Sequence, residues 1–114
     1  MITSASSQKP QRLYRIDKFK VPQSARGEFL ERVRSTHQFL RTLPGFVRDA
    51  LFEQTSGPGA FNFVTLVEWE SAEALESAKK AVMGKHAEIG FDPKEMFARL
   101  GIDADLANYT RIET

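Results

Sequence analysis

Residues 61–71, FNFVTLVEWES, decide the fold. Successive side chains on a strand point to opposite faces, and here both alternating sets are apolar. Phe61, Phe63, Thr65, Val67 and Trp69 form one set; Asn62, Val64, Leu66 and Glu68 form the other. Helices can cover one face of the sheet that holds this strand. A chain of 114 residues has little left to cover the second, and that shortage predicts a partner.

Outward from this stretch the elements follow in order. RLYRIDKFK, residues 12–20, alternates as a first strand, with Leu13, Arg15, Asp17 and Phe19 on one face and Tyr14, Ile16 and Lys18 on the other. Val21-Pro22 ends it, because proline donates no ladder bond. In residues 24–46 an apolar stripe of Phe29, Leu30, Val33, Thr36, Leu40 and Leu43 predicts a helix, with Ser24 as its N-cap and a Glu28–Arg32 pair on its surface. Leu43-Pro44-Gly45 stops it. FVRDALFEQT, residues 46–55, is a second strand, joined by the turn residues 56–59, SGPG, to the opening stretch as an antiparallel third.

Ser71 caps a second helix whose inner stripe is Leu75, Ala78 and Val82, with Gly84 a candidate end. Asp92-Pro93-Lys94-Glu95 reads as a capping box with proline at the first helical position, and Gly101 closes that short helix. Residues 105–113, DLANYTRIE, make a fourth strand with Leu106, Asn108, Thr110 and Ile112 on one face. The order is strand–helix–strand–strand–helix–short helix–strand, the α+β, ferredoxin-like βαββαβ arrangement with a four-stranded antiparallel sheet. A second copy packed sheet to sheet would bury the uncovered face, giving a two-fold homodimer. The domain is expected over residues 12–114, after a loose polar tail over 1–11 that has no apolar signal core.

Composition narrows the function. Sixteen basic and 15 acidic residues leave a net charge of +1, which argues against nucleic acid or an anionic membrane as a charge-driven partner. With no cysteine, thiolate nucleophiles, thiolate metal sites and disulfides are out. No segment approaches the roughly 20 apolar residues of a membrane helix, and the expected location is the cytoplasm. There is no Walker loop, GxGxxG, HExxH or GxSxG motif. A hydride-transfer or flavin enzyme would need such a binding signature, so no tightly bound organic cofactor is expected.

His86, following Leu75, Ala78 and Val82 at helical spacing, is a candidate proton carrier or iron ligand; the alternative is a helix-end histidine favoured by the dipole. His37, one turn beyond Val33, could line the same pocket or sit as a satisfied boundary residue. Asp17, beside Arg15, is a third candidate base or a structural ion pair. Trp69 could wall the pocket or fill the core. Asn62, Asn108 and Tyr109 are polar strand residues able to hydrogen-bond a quinol or carbonyl. Two histidines and no cysteine give no three-ligand metal spacing.

YRIDKFKVP leading to EFLERV, then LRTLPGF, then VEWES, resembles the antibiotic biosynthesis monooxygenase (ABM) family over roughly residues 12 to 112. The resemblance implies a dimeric α+β barrel with a pocket between sheet and helices in each subunit. Characterised members of that family include cofactor-independent enzymes that oxidise polycyclic quinols with dioxygen and enzymes that bind and open haem, and many others have no assigned activity. The resemblance therefore implies a cofactor-independent monooxygenase that holds an oxidisable aromatic molecule in a dry pocket and removes its proton, with a non-catalytic small-ligand-binding dimer or a haem-binding protein as the alternatives. The haem-degrading branch's asparagine position falls on Asp17, its tryptophan position at or near Ala78, and its histidine matches His86 after a small gap.

Overall fold

A computed structural model of the chain describes residues 11–114. Most of the expected polar tail, residues 1–10, lies outside the described residues. The elements are β1 (Leu13–Lys20), a short 3₁₀ turn (Gln23–Ala25), α1 (Arg26–Leu40), β2 (Phe46–Glu53), β3 (Phe63–Trp69), α2 (Ala72–Ile89), α3 (Pro93–Leu100) and β4 (Asp103–Tyr109). The four strands form one sheet in the order β2-β3-β1-β4, every neighbour antiparallel. This is the expected ferredoxin-like fold.

The ambiguity of residues 61–71 resolves through burial. Phe63, Thr65, Val67 and Trp69 are buried, whereas Val64 and Leu66 are only half-buried. The odd-numbered set therefore faces the helices. In register with it stand Leu51 on β2 and Asp17 on β1 opposite Thr65, with Leu106 of β4 opposite Asp17. On the far face a row of Ala50, Leu66, Ile16 and Ala107 crosses all four strands. Phe52 beside it is 54% exposed. Glu68 shares that face but is buried, because Arg12 (2.7 Å) and Arg48 (2.6 Å) close over its carboxylate. Burial opposes its charged form, yet the two guanidinium hydrogen bonds outweigh that and hold the carboxyl below its ordinary value.

The helix face carries two apolar clusters. Phe19, Val21, Ala25, Phe29, Leu30, Phe63 and Ile102 form one. Leu40, Val67, Trp69, Leu75 and Ala78 form the other. A register shift between Phe46 and Arg48 turns Phe46 inward, where its ring meets Trp69 edge-on at 5.9 Å. Trp69 thereby belongs to the second cluster rather than to a pocket wall.

Several local expectations need correction. Ser24 caps nothing: the chain enters α1 through the 3₁₀ turn, and Ala25 occupies the cap position without a side-chain bond. Glu28 pairs with Arg99 of α3 and not with Arg32. Gly84 does not end α2, which continues to Ile89 and stops at Gly90 in the left-handed region (φ 69°); one glycine costs only about 1 kcal/mol inside a helix. β4 begins two residues earlier than expected and ends at Tyr109, so Thr110 and Ile112 lie outside the ladder. The caps at Ser71, whose hydroxyl accepts from Ala74 N (3.1 Å), and at Asp92, whose carboxylate accepts from Lys94 N (3.0 Å), are as expected.

Candidate functional site

The two apolar clusters do not fill the whole seam between sheet and helices. Between them lies a cavity of about 240 Å³. Phe19, Phe29, Val33 and Val82 wall its sides, Phe91, Met96 and Phe97 its α3 end, and Leu106 its β4 edge. Into this apolar space project Arg15, Asp17 and Thr65 from the sheet, Arg32, Thr36 and His37 from α1, and His86 from α2. An apolar chamber with a few convergent polar groups is what a small-molecule site requires.

His37 is the best-determined of these groups. It is 8% exposed, and its Nδ1 lies 3.0 Å from Asp49 Oδ2. Asp49 stands on the helix side of β2, in register with Val67, and is itself largely buried. Its carboxylate also accepts from Arg41 Nε (3.0 Å) and Nη2 (3.2 Å). A carboxylate cannot donate when ionised, so Nδ1 carries the proton in this pair and Nε2 is left as the acceptor. Asp49 thus fixes the tautomer of His37 and stabilises the imidazolium that forms when Nε2 takes a proton.

Asp17 sits on the sheet side of the cavity, 2.6 Å from Arg15 Nε. Burial pushes its carboxyl above the ordinary value, against the pull of the Arg15 hydrogen bond and charge, the Ala107 backbone and the charge of His37. The Asp17–Arg15 pair neutralises itself, and its nearness to His37 makes one polar pole of the cavity. His86 belongs to a second pole at the other end. Its ring meets Phe91 edge-on at 5.0 Å, and the Arg32 guanidinium lies 3.8 Å over the Phe91 ring. Burial first, and then the charge of Arg32, holds the His86 imidazole below its ordinary value, with Asp92 opposing. His86 is thus kept neutral near pH 7 and is a weak base.

His37, Asp17 and His86 therefore converge on one cavity. The remaining candidates do not line it. Trp69 is held in the core by Phe46 and Val67. Asn62 clamps the end of β1, accepting from Val21 N (2.8 Å) and donating to Val21 O (2.9 Å); both halves of its amide are spent on backbone. Asn108 and Tyr109 lie on the exposed edge strand β4. Asn108 is in register with Arg15, one step outside the chamber, and Tyr109 with Tyr14 on the opposite face. The sequence does not single out Asp49, and it marks Arg32 only as a surface partner of Glu28. Asp49 is 12 residues from its histidine, across a turn and a strand, and no local spacing marks that pairing. Among the described residues no group of three or more histidine, aspartate or glutamate side chains is placed to hold a metal ion, and no helix is long and apolar enough to cross a membrane.

A family model described as antibiotic biosynthesis monooxygenase matches residues 12–87. No curated protein matches the sequence. Solved structures share the fold at low identity. A Shewanella loihica protein assigned to the monooxygenases by name superposes with a TM-score of 0.71 at 18% identity, over 94% of this chain and 99% of that one. SnoaB, a cofactor-independent oxygenase from Streptomyces nogalater, gives 0.64 at 23% identity, over 91% and 96%. The haem-degrader MhuD from Mycobacterium tuberculosis, solved with two haems in its active site, gives 0.66 at 20% identity, over 90% and 97%.

Proposed function

The chain belongs to the antibiotic biosynthesis monooxygenase family, and from that premise we propose that it is a cofactor-independent monooxygenase acting on a small aromatic, quinol-like molecule. The observation that carries the reading is the His37–Asp49 pair on the wall of an apolar cavity. A ring methylene or phenol flanked by aromatic rings is acidic enough for a fixed imidazole to deprotonate. The resulting anion is electron-rich enough to pass an electron to dioxygen. Recombination forms a carbon–oxygen bond, and loss of water leaves the ketone: R₂CH₂ + O₂ → R₂C=O + H₂O. Both oxidant and reductant are then substrates.

Each residue's part follows from its surroundings. His37 Nε2 takes the substrate proton, and Asp49 supports the charge that arises. Asp17 is hydrogen-bonded to Arg15, and His86 is weakened as a base by burial and by Arg32; the proton is assigned to His37 because Asp49 stands behind its ring. Phe19, Phe29 and Val33 make that side of the cavity apolar, which favours an aromatic ring there. The uncovered row of Ala50, Leu66, Ile16 and Ala107 supports a homodimer through the sheet face, in keeping with the scarcity of such apolar patches on monomers.

A second reading is haem held through His86. The neutral imidazole and the aromatic walls favour it. The size of the cavity opposes it: about 240 Å³ lies below the roughly 300–1,000 Å³ of pockets for drug-sized ligands, and suits two or three fused rings better than a macrocycle. Adding haemin and following the Soret band separates the readings. A band shift abolished by His86→Ala supports haem, and no shift supports the quinol reading. The quinol reading is tested by dioxygen uptake with anthrones and hydroquinones, for which His37→Gln should lower the rate by roughly 10²–10⁴.

A further inference from the structure

The two poles of the cavity differ in charge balance. At the sheet pole Arg15 is satisfied by Asp17 at 2.6 Å, and His37 by Asp49. At the helix pole the cation has no such partner. Arg32 forms no ion pair among the described residues: Glu28, one turn before it, is taken by Arg99. Asp92 caps α3 through Oδ1 and its charge acts on His86 without pairing with Arg32, and Glu88 stands 3.7 Å from Lys85. The Arg32 guanidinium carbon instead lies 3.8 Å over the Phe91 ring, a cation–π contact that uses the ring face and none of the guanidinium N–H donors. Arg32 lines the main cavity and also a small groove of about 50 Å³ beside it, bordered by Lys85 and His86. Both openings thus meet at one unpaired, partly dehydrated cation.

We propose that Arg32 is an anion-binding residue and that the cavity takes an aromatic acid, its carboxylate on Arg32 and its oxidisable ring against His37. This rests on the oxygenase reading above for the ring's fate, but not for the carboxylate. Arg32 and His37 stand five residues apart on α1, about 7.5 Å along the axis at 1.5 Å per residue, and both line the cavity together with Val33 and Thr36. A cavity of about 240 Å³ with these two groups on its wall suits a molecule of two or three fused rings with an acid group at one end. A planar guanidinium held by a ring prefers a carboxylate, which it can grip with two parallel hydrogen bonds. His86, neutral beside it, supplies a further hydrogen-bond donor through its ring N–H.

The test uses binding, not turnover. Purified protein is titrated by fluorescence with anthracene-2-carboxylate and with anthracene-2-carboxamide, ring-identical probes differing in charge. The expected result is a carboxylate preference of roughly ten- to hundredfold, the range of hydrogen bonds to charged groups. It should be lost in Arg32→Gln and partly kept in Arg32→Lys, with unchanged melting curves showing both variants folded. Equal affinity for the two probes, a preference that survives Arg32→Gln, or no binding of either would overturn the proposal. His37→Gln separates it from the oxygenase reading. That variant should keep the carboxylate preference while losing dioxygen uptake. A wild-type protein with the preference but no uptake on any quinol refutes the reading and leaves the anion site standing.

Discussion

Replacing Asp49 by asparagine removes the charge behind His37 while keeping the shape. The structure sets the magnitude. Asp49 accepts one hydrogen bond from His37 at 3.0 Å, where both side chains are nearly buried, and two from Arg41, which is more than half exposed. The buried contact dominates: a hydrogen bond to a charged group contributes about 1.5–3 kcal/mol, whereas the exposed Arg41 pair contributes under about 1 kcal/mol. Asp49→Asn should therefore cost about 2 kcal/mol in urea unfolding, and Arg41→Gln well under half of that. A double-mutant cycle of Asp49→Asn with His37→Gln isolates the pair and should return a coupling of about 1–2 kcal/mol. In turnover, Asp49→Asn should lower kcat by roughly ten- to hundredfold with KM little changed, since a positioning residue acts on the proton transfer and not on ring binding. Additive stabilities for the two substitutions, together with an unchanged kcat, would refute the reasoning, because Asp49 would then neither hold nor assist His37.

Gly45 has a φ of 83° and lies against Ala74, so that an added Cβ would overlap the Ala74 Cβ; Gly45→Ala should cost about 2 kcal/mol or more in chemical denaturation, and Ala74→Gly in the same chain should recover only the steric part. His86 should titrate below its ordinary value by NMR, and Arg32→Gln, by removing a repelling charge, should raise it. Because the folded value is the depressed one, this histidine's stabilising contribution is present above the unfolded pKa and is lost as pH falls through it, about 6.5 and below. Leu66→Asp, placing a charge in the centre of the uncovered sheet face, should convert a dimer to a monomer by light scattering at micromolar concentration; an unchanged mass, or a monomeric parent, would reject the sheet-to-sheet arrangement.

How far the sequence could be read depended on whether a signal was local. Ser71 and Asp92-Pro93 announce helix starts because a cap bonds only two or three residues ahead. Gly45 and Gly101 announce stops because few other residues tolerate a positive φ. The facing of β3 was not legible, since Val64 and Leu66 are as apolar as Phe63 and Val67; burial under α1 and α2 decides it. Trp69 could not be assigned to core or pocket without the register shift that turns Phe46 onto it. The site was legible in half. His37, His86 and Asp17 were named from helical and strand spacing. Their neighbours were not, because Asp49 beside His37 and Arg32 near His86 come from contacts across the fold.

Dioxygen consumption by the purified protein, measured with an electrode against a panel of anthrones and hydroquinones beside His37→Gln, decides whether this cavity is an oxygenase site. The expected result is one dioxygen consumed per anthrone converted to its quinone, at a rate the variant loses by at least a hundredfold. Uptake no faster than the buffer's own across the panel, or equal in the wild type and the variant, would contradict it.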